Sequence, residues 1–244
     1  MLVVNYSRMP GPMDYPSPDS PAFVRREGAG VLWQRWRLLG TTDLYDLETD
    51  PAQESNVIDQ HPDVARKMEA HLGAWWKEVE PFANEIQRVT IGSDAENPTM
   101  LTACEWADVF VDQQQQVRVG VRRNSYWHLD VECAGTYQLA MRRWPEESDL
   151  GLRESCTSPP MIDGIPEGTR DEWANRHPDG GSLPIARARL MIGGRMHEVM
   201  TDADAQDASF TVDLEPGPTL LHTWYDDEDL QPICGAYYVY VRRM

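Results

Sequence analysis

Three stretches of this chain carry acids at spacings that cations use. In LYDLETDPAQESNV (44–57), Asp46, Glu48 and Asp50 alternate, so a strand would place all three carboxylates on one face. The pattern fits a cation site or the solvated face of an edge strand. The second reading is preferred, with Asp50-Pro51 starting a turn. TDADAQDASFTVD (201–213) opens like a calcium loop with Asp202 and Asp204. Asp207 then stands where such a loop needs glycine and Asp213 where it needs glutamate, so an EF-hand is rejected. YDDED (225–229) is the densest cluster. Asp226, Asp227 and Asp229 are the candidate Ca²⁺ ligands, against the ordinary alternative of a solvated turn.

Other chemistry is sparse. His61, His71, His128, His177, His197 and His222 fall in no metal-ligand spacing. No GxSxG, Walker or GxGxxG loop occurs. Cys104, Cys133, Cys156 and Cys234 form no CxxC pair, which leaves disulfides and buried free thiols both open. The aromatics are more suggestive. Trp127 and Trp144, with Tyr126, Tyr137, Tyr238 and Tyr240, would stack on a sugar if they lay on the outer face of a sheet. Core packing is the competing reading.

These residues need elements to hold them. Leu2–Val4 is a short apolar strand, and residues 9–22 carry five prolines and must be loop. Val31–Leu39 reads as a strand, Gly40-Thr41-Thr42 as a turn, and Leu44, Tyr45 and Leu47 as its hairpin partner. Pro62 suits the start of a helix, with Asp63 at the positive end of its dipole. Val64, Met68, Leu72, Trp75 and Val79 make one apolar stripe, and Pro81 is expected to stop the helix. Beyond residues 82–92, period-two alternation dominates. It runs through Val117/Val119/Val121, Trp127/Leu129/Val131, Tyr137/Leu139/Met141 and Ala186/Ala188/Leu190/Ile192, then Phe210/Val212/Leu214 and the two last runs, Leu220–Tyr225 and Ala236–Val241. Gly193-Gly194 signals a hairpin, and residues 145–184 a long loop excursion. The expected fold is therefore α+β. A small antiparallel sheet packed with one helix (1–84) precedes an all-β sandwich of jelly-roll type without helices (85–244).

The net charge of −18 argues against nucleic acid or an anionic membrane as partner, since phosphate would be repelled. No apolar run is long enough for a transmembrane helix. The leading MLVVNYSR has too short an apolar core to read as a signal peptide.

WQRWRLL, then DLYDLETDPAQESNV, then QHPDVARKMEAHLGAWWKEVEP resembles the C-terminal subdomain of the sulfatase family. In arylsulfatase-type members a Trp-Arg-Leu strand leads to an LYDL-x-x-DP turn and a helix opening at His-Pro. LVVNYSR is similar to the preceding family strand, and IGSDAENPTMLTACEW and MRRWPEE to a β-rich extension in some bacterial members. The resemblance covers roughly the first 85 residues best. It implies a sulfuric ester hydrolase whose nucleophile, a formylglycine from a C/S-x-P-x-R motif, and whose Ca²⁺ belong to a catalytic domain upstream. Full-length relatives are often exported. The nearest lookalike, Cys156-Thr157-Ser158-Pro159-Pro160, has its proline one place late and proline where arginine is required. No catalytic residue and no cofactor can be carried onto this chain.

Three functions follow as expectations. The first is the C-terminal part of a sulfatase, partnered by the catalytic domain and contacting a sulfated carbohydrate through the sandwich, with Trp127 and Trp144 as the substrate-binding candidates. The second is a free-standing carbohydrate-binding module. The third is a structural or interaction module. On the first reading the purified chain releases no sulfate from a chromogenic aryl sulfate, with or without Ca²⁺; Ca²⁺-dependent turnover would overturn it.

Overall fold

The computed structural model describes residues 1–5, 24–83, 85–107, 109, 111–157 and 179–244. The proline-rich loop expected at 9–22 and most of Cys156–Pro160 lie outside them. The chain is a β-rich α+β protein with two compact units, Met1–Ile86 and Gln87–Met244.

The first unit is an antiparallel meander of β1 (Leu2–Asn5), β2 (Ala29–Trp33), β3 (Trp36–Leu39) and β4 (Asp43–Asp46), in that order. Gln34 and Gly40 take positive φ in its turns. Helix α1 (Pro62–Ala83) covers one face, burying Ala65, Met68 and Leu72 against Val31, Trp36, Leu38 and Leu44. Val64 and Trp75 flank that stripe, as the helical spacing predicts. The helix continues through Pro81 rather than ending there. Proline lacks a donor, but one lost bond in the last turn is tolerated where fraying is already easy.

The second unit holds two sheets. One contains β10 (Arg195–Met200), β9 (Arg187–Ile192), β12 (Gly217–Asp226), β7 (Tyr126–Val131) and β5 (Val89–Ile91) in that order, with β13 (Pro232–Cys234) paired to β12. The other runs β11 (Ala208–Leu214), β8 (Gly135–Arg142), β14 (Tyr238–Arg243) and β6 (Thr99–Thr102). Inward residues of both sheets share one core, including Trp127, Leu129, Leu190, Leu221 and Tyr225 from the first and Tyr137, Leu139, Phe210, Val212 and Val239 from the second. Alternation therefore does what a two-layer β structure requires.

One expected strand is a helix. Val117, Val119 and Val121 alternate, yet α2 spans Gln114–Arg118. Gln113 and Gln116 form a reciprocal capping box, and Gly120 at φ +64° receives the chain as it leaves the helix. Only Val117 is buried; Val119 faces solvent. The expectation of a helix-free second unit is corrected accordingly.

Arg143 is wholly buried and ties the end of α2 to two irregular segments. Its guanidinium donates to the backbone carbonyls of Glu154 (2.9 Å), Arg118 (3.2 Å) and Gly181 (2.5 Å), and lies 4.5 Å from the Trp144 ring centroid. Burial lowers its pKa from the ordinary guanidinium value, yet an arginine in a protein keeps its charge. The carbonyl dipoles take the place of a counter-ion.

Two glycines separate packing from backbone strain. Gly92 has φ +78°, and a Cβ there would sit 1.8 Å from the Tyr137 hydroxyl, which donates to Cys133 O at 2.6 Å. Gly194 has φ +72° in the β9–β10 hairpin and open space around it. Gly194→Ala should cost about 1 kcal/mol by denaturant unfolding, and Gly92→Ala about 3 kcal/mol or more, because the tyrosine must also move.

Candidate functional site on the outer face of the larger sheet

β12 is central, with β7 on one side and β9 on the other. Leu221, Thr223 and Tyr225 point into the core, so Leu220, His222 and Trp224 point outward. Register adds neighbours on the same face. His222 lies opposite Tyr126 and Met191, Trp224 opposite Arg189, Asp226 opposite Arg187, and Leu220 opposite His128. The result is a partly buried row of rings beside two guanidinium groups.

The rings touch one another. His222 and Trp224 have centroids 3.9 Å apart, and Tyr126 meets His222 at 6.1 Å and His128 at 5.3 Å. The Arg189 guanidinium carbon lies 5.1 Å from the Trp224 centroid. Such edge and offset contacts are favourable and limit the motion of each ring.

Asp226 fixes the arginines. Its side chain has 0% exposure. Arg189 donates through Nε (2.7 Å) and Nη2 (2.8 Å), one bond to each oxygen, and Arg187 adds Nε at 2.9 Å. Burial alone would raise the Asp226 pKa, but bonds from Arg189 and then Arg187 outweigh it, and the carboxyl ends below its usual value. Glu198 reaches Arg187 at 3.4 Å from an exposed position and is the weaker partner. No protein acceptor engages Nη1 of Arg189 among the described residues.

His222 is held in one state. Burial first and the Arg189 charge second lower its pKa, so it is neutral at pH 7. Its Nε2 lies 3.1 Å from Asn124 Oδ1, so the Nε2–H donates there and Nδ1 is left as an acceptor. The face thus combines flat apolar rings, fixed donors and an acceptor. That is the chemistry for stacking on a sugar ring and bonding its hydroxyls.

The residues expected from sequence lie elsewhere. Trp127 has 0% exposure, and its Nε1 donates to Thr102 O at 2.9 Å. Trp144 has 5%, with Nε1 on Glu154 O at 3.1 Å. Both rings are core, so neither can stack on a ligand, and the substrate-binding assignment is corrected on that ground. Tyr137 is core as well. The metal assignment fails for a different reason. The Asp226 carboxylate is taken by two arginines, and the Asp227 carboxylate closes the turn by accepting from Gln231 N at 2.8 Å. Asp229 contributes its backbone carbonyl to Gln231 Nε2 in the same turn. Among the described residues no group of three or more metal-binding side chains gathers. The acids of the first unit are structural too. Asp46 ends β4 and accepts from Glu48 N, Glu48 pairs with Arg35, and Asp50 accepts from Ser55 N. That last bond, with others from the same turn, lowers the Asp50 pKa. All four cysteines are free, and burial pushes the Cys234 thiol up to about 11.

No family model matches the chain, and no curated protein matches it. Among solved structures it is similar to a ruminal GH26 endo-β-1,4-mannanase at 10% identity and a TM-score of 0.30, over 63% of this chain and 27% of that one. It is also similar to Pika GITRL at 13% identity and a TM-score of 0.22, over 48% and 77%. The chain thus spans about a quarter of the mannanase's length, and neither likeness is close enough to carry a function.

Asp226→Asn should cost about 3 kcal/mol at neutral pH, because two guanidinium groups lose their counter-charge. The folded pKa is depressed, so the contribution is complete above the unfolded value of about 4 and is lost as pH falls through the folded one. In denaturant titrations the gap between wild type and variant should stay constant above about pH 5 and close on acidification.

Proposed function

We propose that the chain is the C-terminal part of an arylsulfatase-like sulfuric ester hydrolase, and that its second unit is a jelly-roll sandwich binding carbohydrate through the outer sheet face. The observation that carries the carbohydrate reading is the row Tyr126–His222–Trp224 beside Arg189, with Asp226 beneath. The sulfatase reading is supported by the WQRWRLL and LYDLETDP stretches, which form β2–β3 and β4 with its turn, followed by α1. In the first unit, Leu2 and Val4 of β1 are exposed apolar residues of the kind a catalytic domain would cover. Catalysis, and the Ca²⁺ it uses in that family, would belong to that domain.

Charge narrows the ligand. Two arginines face one buried and one exposed acid, so their charges balance, and only the exposed Glu198, 3.4 Å from Arg187, is a weak enough partner for a single sulfate ester to displace. The net charge of −18 disfavours a densely sulfated chain. Neutral or sparsely sulfated oligosaccharides are the expected class. A free-standing carbohydrate-binding module would use the same face and differ only in lacking a catalytic partner.

Calorimetric titration with neutral and monosulfated oligosaccharides tests the reading. Trp224→Ala should weaken binding about tenfold, with a cooperative unfolding transition verifying that the variant is folded. Trp144→Phe, a core change, should leave affinity alone. Saturable binding that ignores Trp224, or no binding across the panel, would remove the carbohydrate assignment.

A further inference from the structure

A second feature lies away from the ring platform. A cavity of about 550 Å³ opens between β10 at one end of the larger sheet and β11 at one end of the smaller. Val131, Ile192, Val212 and Leu214 form an apolar patch in an otherwise polar lining. Five consecutive residues, Thr211 to Glu215, line it. Successive side chains of a strand point to opposite faces, so a wall made of consecutive residues is the strand's edge and not one of its faces. Among the described residues β11 pairs only with β8, and its other edge has no backbone hydrogen-bond partner from Ser209 to Asp213.

We infer that this cleft binds an extended peptide that adds to β11 as a further strand, with residues alternating apolar and basic. Backbone pairing supplies a register. Period two then dictates composition. Peptide residues beside Val212 and Leu214 meet the apolar patch of the cavity, and those beside Thr211, Asp213 and Glu215 face the acids. Among the described residues Asp213 bonds only the Thr136 hydroxyl, and Glu215 is exposed. Arg195 and His197 close the opposite wall, but two carboxylates outweigh one fixed cation, and the whole chain is acidic. The same acidity argues against a second copy as occupant, since two chains of charge −18 repel.

The test uses the full chain and a short blocked peptide of alternating valine and lysine, with a valine–glutamate peptide as control. Amide exchange followed by NMR should show protection of an alternating set of β11 amides with the lysine peptide only. Thr211→Lys/Glu215→Lys changes two exposed side chains outside the core, and its unfolding midpoint verifies the fold. It should weaken the lysine peptide about fivefold and improve the glutamate one. Absence of β11 protection, or equal binding of both peptides, overturns the inference. So does a concentration-dependent dimer that protects the same amides without peptide, which would give the edge to a second copy.

Discussion

The outer face of the larger sheet depends on one carboxylate. Asp226 sits at the end of β12, wholly buried, and accepts from guanidinium groups projecting from β9. Removing two cations and an anion from water costs several kcal/mol per ion, and only good geometry restores it. Here the geometry is a two-pronged bond to Arg189 with Arg187 closing the remaining lone pair. Once Arg189 is immobilised, its guanidinium rests on Trp224, Trp224 rests on His222, and His222 is oriented by Asn124. The platform is therefore rigid because of an ion cluster at its edge. Stacking alone would leave these partly buried side chains several rotamers each.

Arg143 solves the opposite problem with the same side-chain type. Among the described residues it has no carboxylate partner, so its charge is spread over three carbonyls and an indole face. Carbonyl oxygens are weaker partners than a carboxylate, but they come from Arg118, Glu154 and Gly181, far apart in sequence. Organisation is the gain, since irregular segments have no ladder of their own to hold them.

Much of the strand content was legible because alternation is a strong signal. Trp127/Leu129/Val131 and Phe210/Val212/Leu214 are inward rows of real strands. Alternation says that a strand has two faces without saying which one is wet. Sugar stacking by Trp127 is conditional on an outer-face position, and the parity it shares with Leu129 and Val131, both core, decides for core packing. Trp224 was missed despite a usable sign. It alternates with Leu221, Thr223 and Tyr225, and so falls on the face with His222. The arginine pairing of Asp226 was not readable, because Arg187 and Arg189 are nearly forty residues away and register alone joins them. Val117/Val119/Val121 misled for a local reason, where glutamine capping and Gly120 favour one helical turn over a strand.

The segments joined by Arg143 have a dynamic consequence. Glu154 O also accepts from the Trp144 indole, Arg118 O also accepts from Gly181 N, and Gly180 N donates to Cys156 O. None of these segments can lift away without stranding a buried positive charge, so they open together or not at all. Loops usually fluctuate independently and present the first sites to a protease. Here the end of α2 and two stretches of irregular backbone share a single opening event, whose free energy includes the exposure of one buried side chain. The amides around Arg118, Glu154 and Gly181 are thus expected to exchange on the timescale of the strands.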